Sequence, residues 1–182
     1  FTLWIGGMGV LVFTMALAPS VGARSIFLME AEHAGLSPGK LVPKLSDTAK
    51  ILYTIYTTMT LITVIIFLIV GMPFFDAVIH AFGTAGTGGY SIKANSIGHY
   101  NSVLLEWITA VLMLMFGINF SLYYVLLKKD RKKVLRNEEL RFYGALVIVA
   151  TVLIFINILP LYDYSIADSL RNAAFQVTAI TT

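Results

Sequence analysis

His80-Ala81-Phe82-Gly83-Thr84-Ala85-Gly86-Thr87-Gly88-Gly89-Tyr90-Ser91 sets glycine, threonine and serine between two long apolar runs. Gly86, Gly88 and Gly89 lack a Cβ, so the backbone there reaches conformations that other residues resist. Irregular backbone at membrane depth is tolerated only where it is buried in protein or lines a water-filled cavity. Carbonyl oxygens of such a loop can replace the water around a cation. The segment therefore reads as an ion-selectivity filter, with Gly86, Thr87, Gly88 and Gly89 as ion-binding backbone. The competing reading is a tight turn outside the membrane, and the flanking sequence decides between the two.

That flanking sequence is lipid-like. Of 182 residues, 58% are hydrophobic and 13% charged, and the mean hydropathy is +0.82. A soluble domain carries about a quarter charged residues. The absence of cysteine excludes disulfides, thiolate metal sites and cysteine nucleophiles. His33, His80 and His99 are the only histidines and show no metal-ligand spacing. There is no phosphate-binding loop and no Ser-His-Asp grouping, so neither an enzyme nor a cofactor is expected. The net charge of +3 fits basic residues gathered in cytoplasmic loops better than nucleic-acid binding.

Four apolar runs, at 1–19, 51–72, 103–127 and 142–159, approach the roughly 20 residues that span a bilayer as helix. Gly6, Gly7 and Gly9 in the first suit close helix approach in a membrane. The loop after run one holds Arg24, Lys40, Lys44 and Lys50. The loop after run three holds Lys128, Lys129, Arg131, Lys132, Lys133, Arg136 and Arg141. Basic loops stay inside, which places 22–50 and 128–141 in the cytoplasm and 74–101 and the C-terminal end outside. Each outer segment opens with a short helical pattern. The first covers about 75–84, with Phe74, Phe75, Val78, Ile79 and Phe82 as its apolar face and Asp76 at its start. The second begins at Ser165 as N-cap, with Asp168 three residues on. Leu170, Ala173, Ala174 and Val177 are its inward positions, and it runs into Thr178-Ala179-Ile180-Thr181-Thr182.

The pattern repeats. Trp4-Ile5 opens the first run and Trp107-Ile108 the third, while Asp76-Ala77-Val78 and Asp168-Ser169-Leu170 open the two short helices. The expected fold is an all-α membrane protein of tandem span–pore helix–filter loop–span repeats, potassium-channel-like in plan.

Four stretches carry a family resemblance: Trp4-Ile5-Gly6-Gly7-Met8-Gly9-Val10, Leu41-Val42-Pro43-Lys44-Leu45 with Thr48-Ala49, His80-Ala81-Phe82 running into Thr87-Gly88-Gly89-Tyr90-Ser91, and 175–182. Together they resemble the Trk/Ktr/HKT superfamily of potassium transporters, on its bacterial Trk-type side. Members carry four repeats in one chain around a single pore. The resemblance implies that 1–21 is the second span of a first repeat and 22–50 a cytoplasmic loop. It makes 51–127 a complete repeat, 128–141 a basic cytoplasmic loop, and 142–182 the first span and pore helix of a third repeat. A start at Phe1 and an abrupt stop after Thr182 fit a piece of a longer chain. Gly89 falls at the family's filter glycine, and Thr181-Thr182 match the threonines before the next one.

The implied function is potassium uptake across the inner membrane of a bacterium, by passive or coupled permeation, with potassium as the transported ion on filter carbonyls and no cofactor. Sodium or mixed cation transport and a non-conducting scaffold are the alternatives. The implied partners are membrane lipid, a second copy in a homodimer, and a ring of cytosolic nucleotide-binding regulatory subunits near 128–141. Outside the filter, Tyr90, Glu106 and Asn119 are possible vestibule or pore-lining residues. Glu106 also reads as an interfacial helix residue and Asn119 as an interhelical hydrogen-bond donor. His80 reads as a packing residue of the short helix rather than a proton relay.

Overall fold

The computed structural model describes residues 1–9, 45–89, 91–128, 131–162 and 165–181, and every regular element among them is helical. In order these are α1 (Thr2–Gly7), α2 (Leu45–Ile69), α3 (Phe74–Ala85), a 3-10 turn (Ser96–Tyr100), α4 (Val103–Phe116), α5 (Phe120–Leu127), α6 (Arg131–Leu135), α7 (Glu138–Ile158), a second 3-10 turn (Leu159–Tyr162) and α8 (Ile166–Thr181). Most of the expected first span and of the loop 22–50, together with Tyr90 and Thr182, lies outside the described residues.

Two helical stretches, Thr48–Ile69 and Glu138–Tyr162, are long and apolar enough to cross a bilayer at 22 and 25 residues. The helix α2 stops where Gly71 adopts φ +96°. There the Gly71 N–H bonds the Leu68 carbonyl at 3.1 Å and the Met72 N–H bonds the Phe67 carbonyl at 3.0 Å, closing a Schellman motif. Pro73 follows and cannot continue the helix. Within α2, Thr60 and Thr63 donate back to the carbonyls of Tyr56 and Met59 at 2.8 and 3.0 Å, so these two buried hydroxyls are satisfied without water.

The run 103–127 is not one straight helix. It breaks at Gly117-Ile118-Asn119, and α4 and α5 meet at 89°. The Ile118 N–H reaches only to Met115, a 3-10-like step, and Asn119 leaves helical geometry at ψ 120°. The Asn119 carboxamide oxygen then caps α5 by accepting from Ser121 N–H at 3.0 Å. Tyr123 donates to the Met115 carbonyl that the break exposes, at 2.6 Å.

α3 packs on α1, α2 and α4, and α8 packs on α4 and α7. The expected apolar face of α3 is not its buried one. Phe74 and Phe75 are exposed, at 70% and 68%, and Val78, Ile79 and Phe82 are half-buried. The buried face carries Asp76, Ala77, His80, Ala81 and Thr84. Apolar side chains gain nothing by leaving lipid, so small residues that allow close approach decide the interface. The α8 interface follows the same rule: Ser169, Ala173, Val177 and Thr178 are buried, whereas Leu170 is 41% exposed.

Candidate functional site

The glycine loop grows out of the C-terminal end of α3. Gly86 N–H bonds Phe82 O at 2.9 Å, Thr87 N–H bonds Thr84 O at 3.4 Å, and Gly88 N–H bonds Gly83 O at 3.0 Å. This is a second Schellman motif, but its left-handed position is held by Thr87 at φ 52°. A β-branched residue is strained there by about 1–3 kcal/mol. Each trans peptide sets its C=O opposite its N–H. Three N–H groups turned back onto the helix therefore aim the carbonyls of Ala85, Gly86 and Thr87 away from it. The Gly86 carbonyl accepts the Thr87 hydroxyl at 2.8 Å. Thr87 and Gly89 are exposed, Gly88 is half-buried and Gly86 is buried.

The three loop glycines answer different demands. A Cβ on Gly86 would lie 2.4 Å from the Leu3 carbonyl oxygen of α1. One on Gly88 would meet only the Leu3 side chain, at 2.8 Å. Gly89 faces open space but sits at φ +64°, in the region where glycine is the easy residue. α1 answers with its own glycine: a Cβ on Gly7 would lie 2.6 Å from Gly86 Cα and 2.6 Å from the Tyr56 hydroxyl. The tryptophan–glycine motif and the filter-like loop thus meet backbone to backbone. α1 is tied to α2 by Trp4 Nε1 to Thr60 Oγ1 at 3.0 Å, Tyr56 OH to Trp4 O at 2.8 Å and Tyr53 OH to Ile5 O at 3.2 Å. Trp4 also stacks on Tyr56 with ring centroids 5.4 Å apart.

Behind the loop, a cavity of about 80 Å³ lies between His80, Thr84, Thr87 and Gly89 on one side and Phe175 and Ala179 of α8 on the other. The glycine loop and α8 thus share this cavity, but Thr181 does not line it. Thr181 is in the last turn of α8, not in a loop, and its hydroxyl donates to Val177 O at 2.8 Å. Outside the cavity, Tyr100 OH donates to Asp76 Oδ2 at 2.6 Å and Lys93 Nζ stands 3.3 Å from the same oxygen. The Tyr100 hydrogen bond foremost, with help from Lys93, holds the Asp76 carboxyl below the usual carboxylate range against the opposing effect of burial. Burial foremost, and then the Asp76 bond, pushes the Tyr100 phenol up to about 12.

Glu106 and Asn119 are each engaged by a neighbouring helix. Glu106 Oε2 pairs with Arg171 Nε of α8 at 2.9 Å, and Arg171 Nη2 also pairs with Asp168 at 3.0 Å. Asn119 sits at the bend and donates to Glu139 of α7 at 3.3 Å. Ser165 stands as the expected cap, its Oγ accepting from Asp168 N–H at 3.5 Å and donating to Asp168 Oδ2 at 2.8 Å. Sequence reasoning missed Leu3 as the surface on which the loop rests, and Ser91, whose Oγ lies 2.9 Å from His80 Nε2. No periodicity links 3 with 86 or 80 with 91. Only the glycine pattern in both segments hints at close contact.

Comparison with known proteins agrees with this architecture. The chain resembles the Trk system potassium uptake protein TrkH of Halomonas elongata, at 35% identity over 98% of this chain and 38% of the relative. It resembles the protein of that name from Escherichia coli K12 at 34% identity over the same shares. Among solved structures, the crystal structure of the potassium transporter TrkH from Vibrio parahaemolyticus superposes with a TM-score of 0.75 at 28% identity, covering 99% of this chain and 36% of that one. The chain thus spans 38% of the length of those curated relatives. The family described as TrkH, cation transport protein, matches it along residues 1–182. With helices long and apolar enough to span a bilayer and that match along its whole length, the chain is an integral membrane protein of the TrkH family.

Proposed function

We propose that this chain forms part of the pore wall of a Trk-type potassium uptake protein, with α3 as a pore helix and the loop after it as one quarter of the selectivity filter. The observation that carries this is the loop's polarity: the N–H groups of Gly86, Thr87 and Gly88 turn inward onto α3, so exposed Thr87 offers its carbonyl oxygen outward. The end of α3 adds a partial negative charge of about half an elementary charge. Both features favour a cation and neither favours an anion. Thr87, Gly88 and Gly89 are the ion-facing positions in this reading, whereas Gly86 anchors the loop on α1. Thr181 and Thr182 lead into the matching element of the next repeat.

On this reading 51–127 is a complete repeat, 1–21 and 142–182 belong to its neighbours, and the basic loops 22–50 and 128–141 face the cytoplasm. The relatives named as parts of a Trk system support a subunit that works with regulatory partners; a cytosolic ring of such partners and pairing with a second copy belong to the same proposal. Gly89→Ser in the full-length protein, expressed in cells lacking potassium uptake, tests the filter assignment. A changed potassium-to-sodium uptake ratio at normal membrane abundance is expected, and an unchanged ratio rejects it. Cation flux into liposomes separates a conducting pore from a scaffold.

A further inference from the structure

We propose that His80 is a positioning residue for the filter, acting through Ser91 to hold the chain where it leaves the loop. This inference rests on the filter reading above. The His80 ring is 4% exposed and bridges two segments on either side of the loop. Nδ1 lies 2.8 Å from the Asp76 carbonyl oxygen one turn back in α3. A carbonyl only accepts, so Nδ1 carries the proton. Nε2 lies 2.9 Å from the Ser91 hydroxyl, which can donate to its lone pair. Ser91 Oγ in turn accepts the Lys93 N–H at 3.0 Å. The Asp76 carbonyl, the His80 ring and the Ser91 hydroxyl thus form one hydrogen-bonded chain from α3 to the segment after the loop.

The arrangement has a mechanical meaning. The loop is pinned at its start, where Gly86 rests on Leu3. Gly88 and Gly89 follow, one at φ +64°, with little intrinsic stiffness. Ser91 is the next described residue whose side chain is hydrogen-bonded back to α3. Thr87, Gly88 and Gly89 therefore hang between two anchors, one steric and one hydrogen-bonded. Asp76 is itself held by Tyr100 and Lys93, so the carbonyl that orients His80 belongs to a fixed helix start. Selectivity between cations of different radius depends on how closely carbonyls can follow the ion, and loosening one anchor should blur it.

The test uses the full-length protein and reads potassium-over-sodium discrimination together with membrane abundance. His80→Ala and Ser91→Ala should each lower discrimination by about fivefold, the effect expected of one hydrogen bond. The double variant should be no worse than either single one. His80→Gln, whose amide oxygen can accept from Ser91, should retain most of it. A merely structural histidine would change abundance and leave discrimination alone. If His80→Ala fails to accumulate, Ser91→Ala decides, because it removes only a hydroxyl. Unchanged discrimination in Ser91→Ala overturns the proposal. Gly89→Ser run alongside separates the two failures. If it too leaves discrimination unchanged, the filter reading fails. If it alone alters discrimination, only the His80–Ser91 anchor is wrong.

Discussion

At the scale of single residues, the loop's glycines are not equivalent, and their ranking is a test of the geometry. Gly86→Ala puts a methyl against the backbone oxygen of Leu3, which cannot move without α1, so a loss of more than about 2 kcal/mol is expected, as for overpacking elsewhere. Gly89→Ala has room and is strained only by its positive φ, at about 1 kcal/mol. Gly88→Ala displaces the flexible end of one leucine and should be the mildest. Thermal unfolding of the full-length variants in detergent should rank them in that order. A Gly88 variant as damaging as the Gly86 variant would contradict the α1 contact. The sequence made the loop visible, because glycine and threonine between apolar runs stand out. It did not say that the left-handed residue would be Thr87 rather than a glycine. That choice depends on where α3 ends, and Ala85 and Gly86 are both compatible with one more helical residue.

At the scale of elements, the spans expected at 51–72 and 142–159 were legible because their signal is length and hydropathy, which need no partner. The interior face of α3 was not, since its phenylalanines suggested the wrong side and lipid exacts no penalty for exposing them. The bend between α4 and α5 was also hidden, because Gly117 and Asn119 are tolerated inside membrane helices. Two predictions belong here. Asn119→Ala should lower stability by about 1 kcal/mol through loss of the cap, whereas Asn119→Ser, which keeps an acceptor at that position, should lose little. Equal losses would show that the longer contact to Glu139 matters more than the cap. The second concerns the start of α3. Asp76 has its folded pKa held below its unfolded value, so it contributes stability that is present above the ordinary carboxylate range, about pH 4. That stability is lost as pH falls through the lower folded value. Tyr100→Phe removes the largest cause of the depression while burial still pushes the other way. The destabilisation by Tyr100→Phe should therefore be full at pH 6 and shrink at pH 3. A penalty independent of pH would mean that the hydroxyl acts on packing alone.

At the scale of the whole molecule, the exposed apolar surface of α7, with Ile148, Leu153 and Ile156 all at least 60% exposed, has no use in water and suits lipid or neighbouring repeats. Between α8 and α4 an ion pair adds to the packing. Arg171 of α8 reaches Glu106 at the start of α4, and Asp168 steadies it from within α8. Both Glu106 and Arg171 side chains are only about one-fifth exposed, at 21% and 20%. Removing one partner therefore strands a largely desolvated charge, which is more damaging than losing a surface pair. Glu106→Gln and Arg171→Gln should each destabilise the full-length protein. The two together should cost less than the sum, with a coupling of about 0.5–3 kcal/mol. The exchange Glu106→Arg with Arg171→Glu should recover only part, because Asp168 would then face a like charge. The pair also fixes where α8 lies against the cavity behind the Gly86–Gly89 loop, since Phe175 and Ala179 of that helix line it. The single variants should accordingly lower cation discrimination along with stability. Additive losses in the double variant would mean that α8 is held by its buried Ala173, Val177 and Thr178 alone, and that α8 and α4 are joined by packing rather than by charge.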